Sequence, residues 1–161
     1  MTQISAFQAT IPQFIKMLGH VEEMLAKAAV HADHKKFDVN LLFQDRLAPD
    51  MFPLGKQIQI ACDSAKFSAV YLTGAQAPKF EDNEKTLEEF QSRLKKTKEY
   101  LSSLSPENYP IKAKVELPRH PGKSMAPADY VIQYNLPNFY FHVTMTYALL
   151  RKNGVELGKM D

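Results

Sequence analysis

The stretch from Asn135 to Arg151, NLPNFYFHVTMTYALLR, decides the fold, because it is almost wholly apolar yet carries one narrow polar row. Asn138, His142 and Thr146 recur every four residues, so a helix stacks their side chains on one face. Phe139, Tyr140, Val143, Tyr147, Leu149 and Leu150 occupy the rest of the circumference. A helix that is apolar nearly all round belongs in a core. The expectation is a central last helix with His142 buried, its polar row satisfied by side chains, water, a ligand or a metal.

Working back from that helix, the preceding segment reads as a short helix from Pro127 to Tyr134, with Pro137 as a kink or break. Before it, Ile111, Ala113, Val115 and Leu117 alternate with charged residues, the period of a half-buried strand. PRHPGK (118–123) supplies the turn of a small hairpin returning through Ser124 to Ala126, with His120 exposed in it. A helix from about Asn83 to Leu104 is predicted from Leu87, Phe90, Leu94, Thr97, Leu101 and Leu104, with Thr86 and Glu89 as its capping box. Its remaining charges, Arg93 included, read as a solvated face.

Toward the N-terminus, helix two runs from Pro53 to Thr73 on Leu54, Ile58, Ala61, Ala65 and Leu72, and Gly74 stops it. Helix one carries Ile11, Phe14, Leu18, Val21, Leu25 and Ala28 and ends near His31. Its start is either Thr10, capped with Gln13, or a point near Ser5 with Pro12 inside the helix. The connecting segment 35–53 has one short turn at Val39 to Gln44, and Leu41, Leu42, Leu47, Met51 and Phe52 are expected to pack down. Past the last helix, Asn153-Gly154 is the stop signal, with Arg151 and Lys152 in the final turn.

Several residues have chemistry to weigh. Gln57 on helix two either faces His142 or is a surface glutamine. Cys62 is a small buried hydrophobe, or a thiol activated by Lys66 one turn on. Asp63 and Lys66 form a helix-surface ion pair. His31 and His34 could share a metal, but cationic groups at a helix C-terminus need no metal to be favoured there.

Composition removes other classes. With 45% apolar and 24% charged residues the chain is an ordinary globular domain, one unit over 1–161. A net charge of +2, with no basic stripe, argues against nucleic acid. The lone cysteine makes no internal disulfide, which together with an N-terminus lacking secretory features points to the cytoplasm. No apolar run approaches membrane-spanning length.

Three segments carry a resemblance: RLAPDMFPL (Arg46–Leu54) with Gln57, DSAK (Asp63–Lys66), and LPNFYFHVTMTYALLRKNGVELGK (Leu136–Lys159). On these the chain resembles a domain-of-unknown-function family in the DinB/YfiT-like group of four-helix bundles. The resemblance implies an all-α four-helix bundle with a small β-hairpin inserted between helices three and four. Many DinB-like proteins hold a metal through three histidines, one on the second helix and two spaced by four on the last. Here His142 matches the second of that pair, Asn138 stands at the first, and Gln57 or a neighbour stands on helix two. Two neutral amides and one imidazole make a poor transition-metal site, so the triad reads as degenerate and no cofactor is expected.

The reading is therefore a small-molecule-binding protein with an internal polar pocket between helices two and four. Gln57, Asn138, His142 and Thr146 would line it, and Tyr140 and Tyr147 would rim it. The alternatives are a metal-dependent transferase or hydrolase with His142 as one ligand and the others drawn from His31, His34, Asp50 or Asp63, and a non-catalytic bundle whose function is a homodimer face.

Overall fold

The computed structural model describes residues 4–117 and 120–161. Four long helices form the bundle: α1 (Ala6–Lys35), α2 (Leu54–Thr73), α3 (Leu87–Ser102) and α5 (Leu136–Lys152). A short α4 (Pro127–Asp129) and a π-helical turn (Tyr130–Asn135) lead into α5. Between α3 and α4 a hairpin pairs β1 (Val115–Glu116) with β2 (Ser124–Met125), antiparallel, with Val115 opposite Met125. The strand is shorter than the alternation from Ile111 suggests, and Ile111 is exposed. Two residues of the predicted turn, Pro118 and Arg119, lie outside the described residues.

Helix α1 starts at the earlier of its two possible origins. Ser5 makes the capping box with Gln8, while the Thr10 hydroxyl is committed to the Ala6 carbonyl at 2.6 Å. The helix continues past His31 to Lys35 and is closed by Lys36 in the left-handed region, φ 60°. Its apolar row, Ile11 through Ala28, is buried as the spacing requires. The α3 box of Thr86 and Glu89 forms, and starts that helix at Leu87 rather than Asn83.

The core fills the space between the helices with Phe14 against Phe139 (centroids 4.4 Å) and Phe43 stacked on Phe90 (4.3 Å). Gly55 is what lets α2 approach this stack. A Cβ there would lie 2.7 Å from Phe90 Cζ and 3.3 Å from the Phe43 carbonyl oxygen. The segment before α2 forms its turn at Val39–Gln44, but only Leu42 of its five expected apolar anchors is buried, with Phe43 beside it. Leu41, Leu47 and Phe52 remain exposed.

Helix α5 packs most extensively on α2, yet it is not enclosed on all sides. Pro137, Asn138, Phe141 and Thr144 form an outward stripe, and Phe141 is 52% exposed. The periodicity was masked because that stripe is itself partly apolar. The π turn has a local cause in Pro137. Proline lacks an N–H, and its ring would crowd the carbonyl four residues back in a regular helix. Here the chain widens by one residue, so that the Leu136 N–H bonds the Val131 carbonyl five residues back. No helix among the described residues is long and apolar enough to cross a membrane.

Candidate functional site

The α2–α5 seam brings Gln57 and His142 together. His142 is buried, and its Nδ1 lies 2.7 Å from Gln57 Oε1. The Gln57 amide nitrogen in turn donates to the Phe52 carbonyl at 3.0 Å. That carbonyl can only accept, so it fixes which end of the amide faces His142. Gln57 presents its oxygen, His142 Nδ1 must donate, and the basic lone pair of the neutral imidazole is Nε2. A loop carbonyl therefore sets a buried tautomer.

Asn138 and Thr146 part company with this pair. Asn138 is exposed one turn above His142 and donates to the Ser64 hydroxyl at 2.7 Å, whereas Thr146 is fully buried and spends its hydroxyl on the His142 carbonyl at 3.0 Å. The row of four-residue spacing thus runs from surface to core. Tyr140 and Tyr147 look elsewhere: the Tyr140 hydroxyl meets Gln13 at 2.6 Å, and Tyr147 lines a separate hollow with Met17, Met24 and Val143.

A groove of about 330 Å³ opens between α2 and the π turn, lined by Asn138 but by none of Gln57, His142 and Thr146. Phe52, Phe67, Tyr71, Tyr130 and Tyr134 supply its aromatic wall; Ser64, Asn135 and Asn138 supply neutral polar groups. Tyr130 and Tyr134 stack at 5.6 Å, and Tyr71 meets Tyr130 edge-on. Burial foremost, then the neighbouring phenols Tyr71 and Tyr134, hold the Tyr130 hydroxyl above the ordinary tyrosine range, so it stays protonated. Asn135 is only 3% exposed; its Nδ2 donates to the Ser64 carbonyl at 2.9 Å, and its Oδ1 has no partner among the described residues.

One flank of the groove is ionic, and the sequence reading missed it. Arg93 is buried, contrary to its assignment to a solvated face, and reaches Asp82 (2.8 Å), Glu84 (2.9 Å) and Asp63 (2.9 Å). Lys66, also buried rather than on the surface, meets Asp63 at 3.0 Å, and Lys56 meets Asp82 at 2.9 Å. Phe80 lies beneath both cations, 4.0 Å from Lys66 Nζ and 4.6 Å from Arg93 Cζ. Three cations oppose three anions, so the cluster is internally neutral. The signal was present in the spacing: Arg93 falls three residues after Phe90 and four before Thr97, inside the buried row of α3.

Other reactive-looking groups resolve simply. Burial foremost pushes the Cys62 thiol up to about 11, despite the nearby Arg93 charge, so it is not an activated nucleophile. His31 Nε2 lies 3.1 Å from the Asn153 carbonyl, tying the end of α1 to the end of α5, while His34 and Asp50 are exposed.

The helical fold agrees with the comparisons. Residues 6–161 match the family model described as a domain of unknown function, DUF1993. The chain belongs to the DUF1993 family. A DinB family member protein from Shewanella denitrificans, known from its crystal structure, superposes with a TM-score of 0.90 at 40% identity, over 95% of this chain and 88% of that one. The DUF1993 chain is thus a DinB-like bundle. Among curated proteins, none matches.

For the metal that DinB-like relatives suggest, the donor set of this DUF1993 chain does not fit. Gln57 Oε1 is engaged by His142, Asn138 Nδ2 by Ser64, and neutral amides are weak donors to transition ions. Among the described residues no group of three or more His, Cys, Asp or Glu side chains is placed to hold an ion.

Proposed function

We propose that this protein binds a small organic molecule in the groove between α2 and the π turn, with Asn138 at its mouth and Asn135 and Ser64 on its wall. The observation that carries the reading is Asn135. It is a buried amide on the groove wall with a partnerless acceptor, contributed by a π turn. Leaving a buried acceptor unpaired costs about 1–3 kcal/mol, and π turns inside helices concentrate at functional sites. The groove's size, near the lower end of ligand sites at roughly 300–1,000 Å³, suits a compact ligand.

No catalytic step is assigned, since the titratable groups facing the groove, Lys56, Asp63 and Asp82, are held in ion pairs and the other polar groups are neutral. The experiment is a fragment screen by thermal shift, followed by amide-shift mapping. A ligand present at a hundredfold excess over its Kd raises apparent stability by about 2.7 kcal/mol. The expected hits move Ser64, Tyr134 and Asn138. Hits that map only to other surfaces would overturn the reading.

A further inference from the structure

We infer that the groove takes a neutral, planar ligand that carries an N–H or O–H donor, a conclusion that rests on the groove being the binding site. Three features of the wall point to that class. Its charges are already matched: Lys56 with Asp82, and Asp63 with Lys66 and Arg93, at distances of 2.9–3.0 Å. A charged ligand would have to break a pair within that cluster or enter without a counter-ion, and either costs more than the contact returns.

The second feature is shape. The Tyr130–Tyr134 stack, with ring planes 21° apart, lies on the π turn, and Phe67 and Phe52 stand on the α2 side. Aromatic residues on both sides of a groove favour a flat ring over a bulky aliphatic body, because offset or edge-on ring contacts add to simple burial.

The third feature selects the polar group. Asn135 cannot be reversed to satisfy its free oxygen, since its Nδ2 already donates to the Ser64 carbonyl, which accepts only. Oδ1 therefore needs a donor. It is closed to solvent in this structure, so the ligand's donor reaches it by parting the groove wall, and the bond then formed replaces no bond to water. Around it, Tyr130 is held protonated and Asn138 extends the hydrogen-bonding rim to the mouth. A ligand lacking a donor leaves Oδ1 as it is.

The test uses four simple probes on the full chain, with backbone and side-chain amide shifts as readout: indole, N-methylindole, benzoate and benzamidine. Indole is flat, neutral and an N–H donor. N-methylindole removes only the donor, and the other two add one charge of either sign. The expected result is saturable binding of indole that moves Asn135 and Ser64, with N-methylindole about tenfold weaker and both charged probes weaker still. Asn135→Leu should bring indole down to the level of N-methylindole. If that variant does not fold, the probe comparison on the unaltered chain decides alone.

Equal binding of indole and N-methylindole in the groove would overturn the donor requirement and leave the groove standing as a site. Preference for benzoate or benzamidine there would overturn the neutral class in the same way. Failure of all four, together with fragment hits elsewhere, would remove both this inference and the site on which it rests.

Discussion

His142 and Gln57 face each other across the α2–α5 seam at 2.7 Å, and the direction of that hydrogen bond is dictated by a third group, the Phe52 carbonyl. The consequence is a single imidazole tautomer with its proton on Nδ1. Long-range proton–nitrogen correlation spectra should show that tautomer in the native protein. Gln57→Leu should release it, and a spectrum already dominated by the Nε2–H form would refute the arrangement.

The same pair makes a stability prediction. Replacing His142 by Leu strands Gln57 Oε1, and should cost about 1–3 kcal/mol. Changing His120, which is exposed in the hairpin turn, should leave the denaturation midpoint almost unmoved. Equal effects of the two substitutions would mean the seam is not sensitive to its polar contact.

Gly55 tests the closeness of α2 to the aromatic stack. Gly55→Ala places a methyl 2.7 Å from Phe90 Cζ, and that ring cannot retreat freely because Phe43 stacks on it at 4.3 Å. Overpacking of this kind costs roughly 1–3 kcal/mol, against the gain in helix propensity that the same change gives at an open position. A more stable variant would show that the stack yields.

Much of the fold was legible in the sequence because its signals are local. The four apolar rows, the Thr86–Glu89 box and the Gly74 and Gly154 stops each depend on residues within a turn or two, and each stands where the spacing puts it. The site was legible only in part. The four-residue row of Asn138, His142 and Thr146 identified the right helix, but spacing says nothing about depth, and the row turned out to pass from solvent to core. Arg93 and Lys66 were misread because charge suggests exposure, and two of the carboxylate partners of Arg93, Asp82 and Glu84, come from a loop that no periodicity describes. The π turn followed from Pro137 only once the chain was seen to continue through it without a break.

Cys62 offers a simple check on the bundle's integrity. With its thiol buried and pushed up to about 11, chiefly by desolvation, it should resist a disulfide reagent at neutral pH until the protein unfolds. Reaction at the rate of a free thiol in the native state would mean that α2 and α3 open in that region far more readily than their packing implies.

The Arg93 cluster gives the last prediction, and it concerns both mutation and acid. Truncating Arg93 leaves three carboxylates without their shared cation, and breaking a buried pair in this way costs about 3–5 kcal/mol. Arg93→Met, which keeps the stem against Phe80, should still fall well below the parent protein, and more so than Lys95→Met on the exposed face. For acid the sign follows from Asp82. Its burial would raise the carboxyl, but hydrogen bonds from Lys56 and Arg93 and their charges outweigh that and hold it below the ordinary aspartate value. A carboxyl with a depressed folded pKa contributes stability that is fully present above its unfolded pKa, about 3.9 for aspartate, and is lost as pH falls through the lower folded value. Stability should therefore decline below about pH 4, and the decline should be shallower in Asp82→Asn, which has already lost this linkage. Denaturant midpoints measured for the two proteins across the acid range would settle it, and parallel curves would show that Asp82 is not among the groups that couple folding to protons.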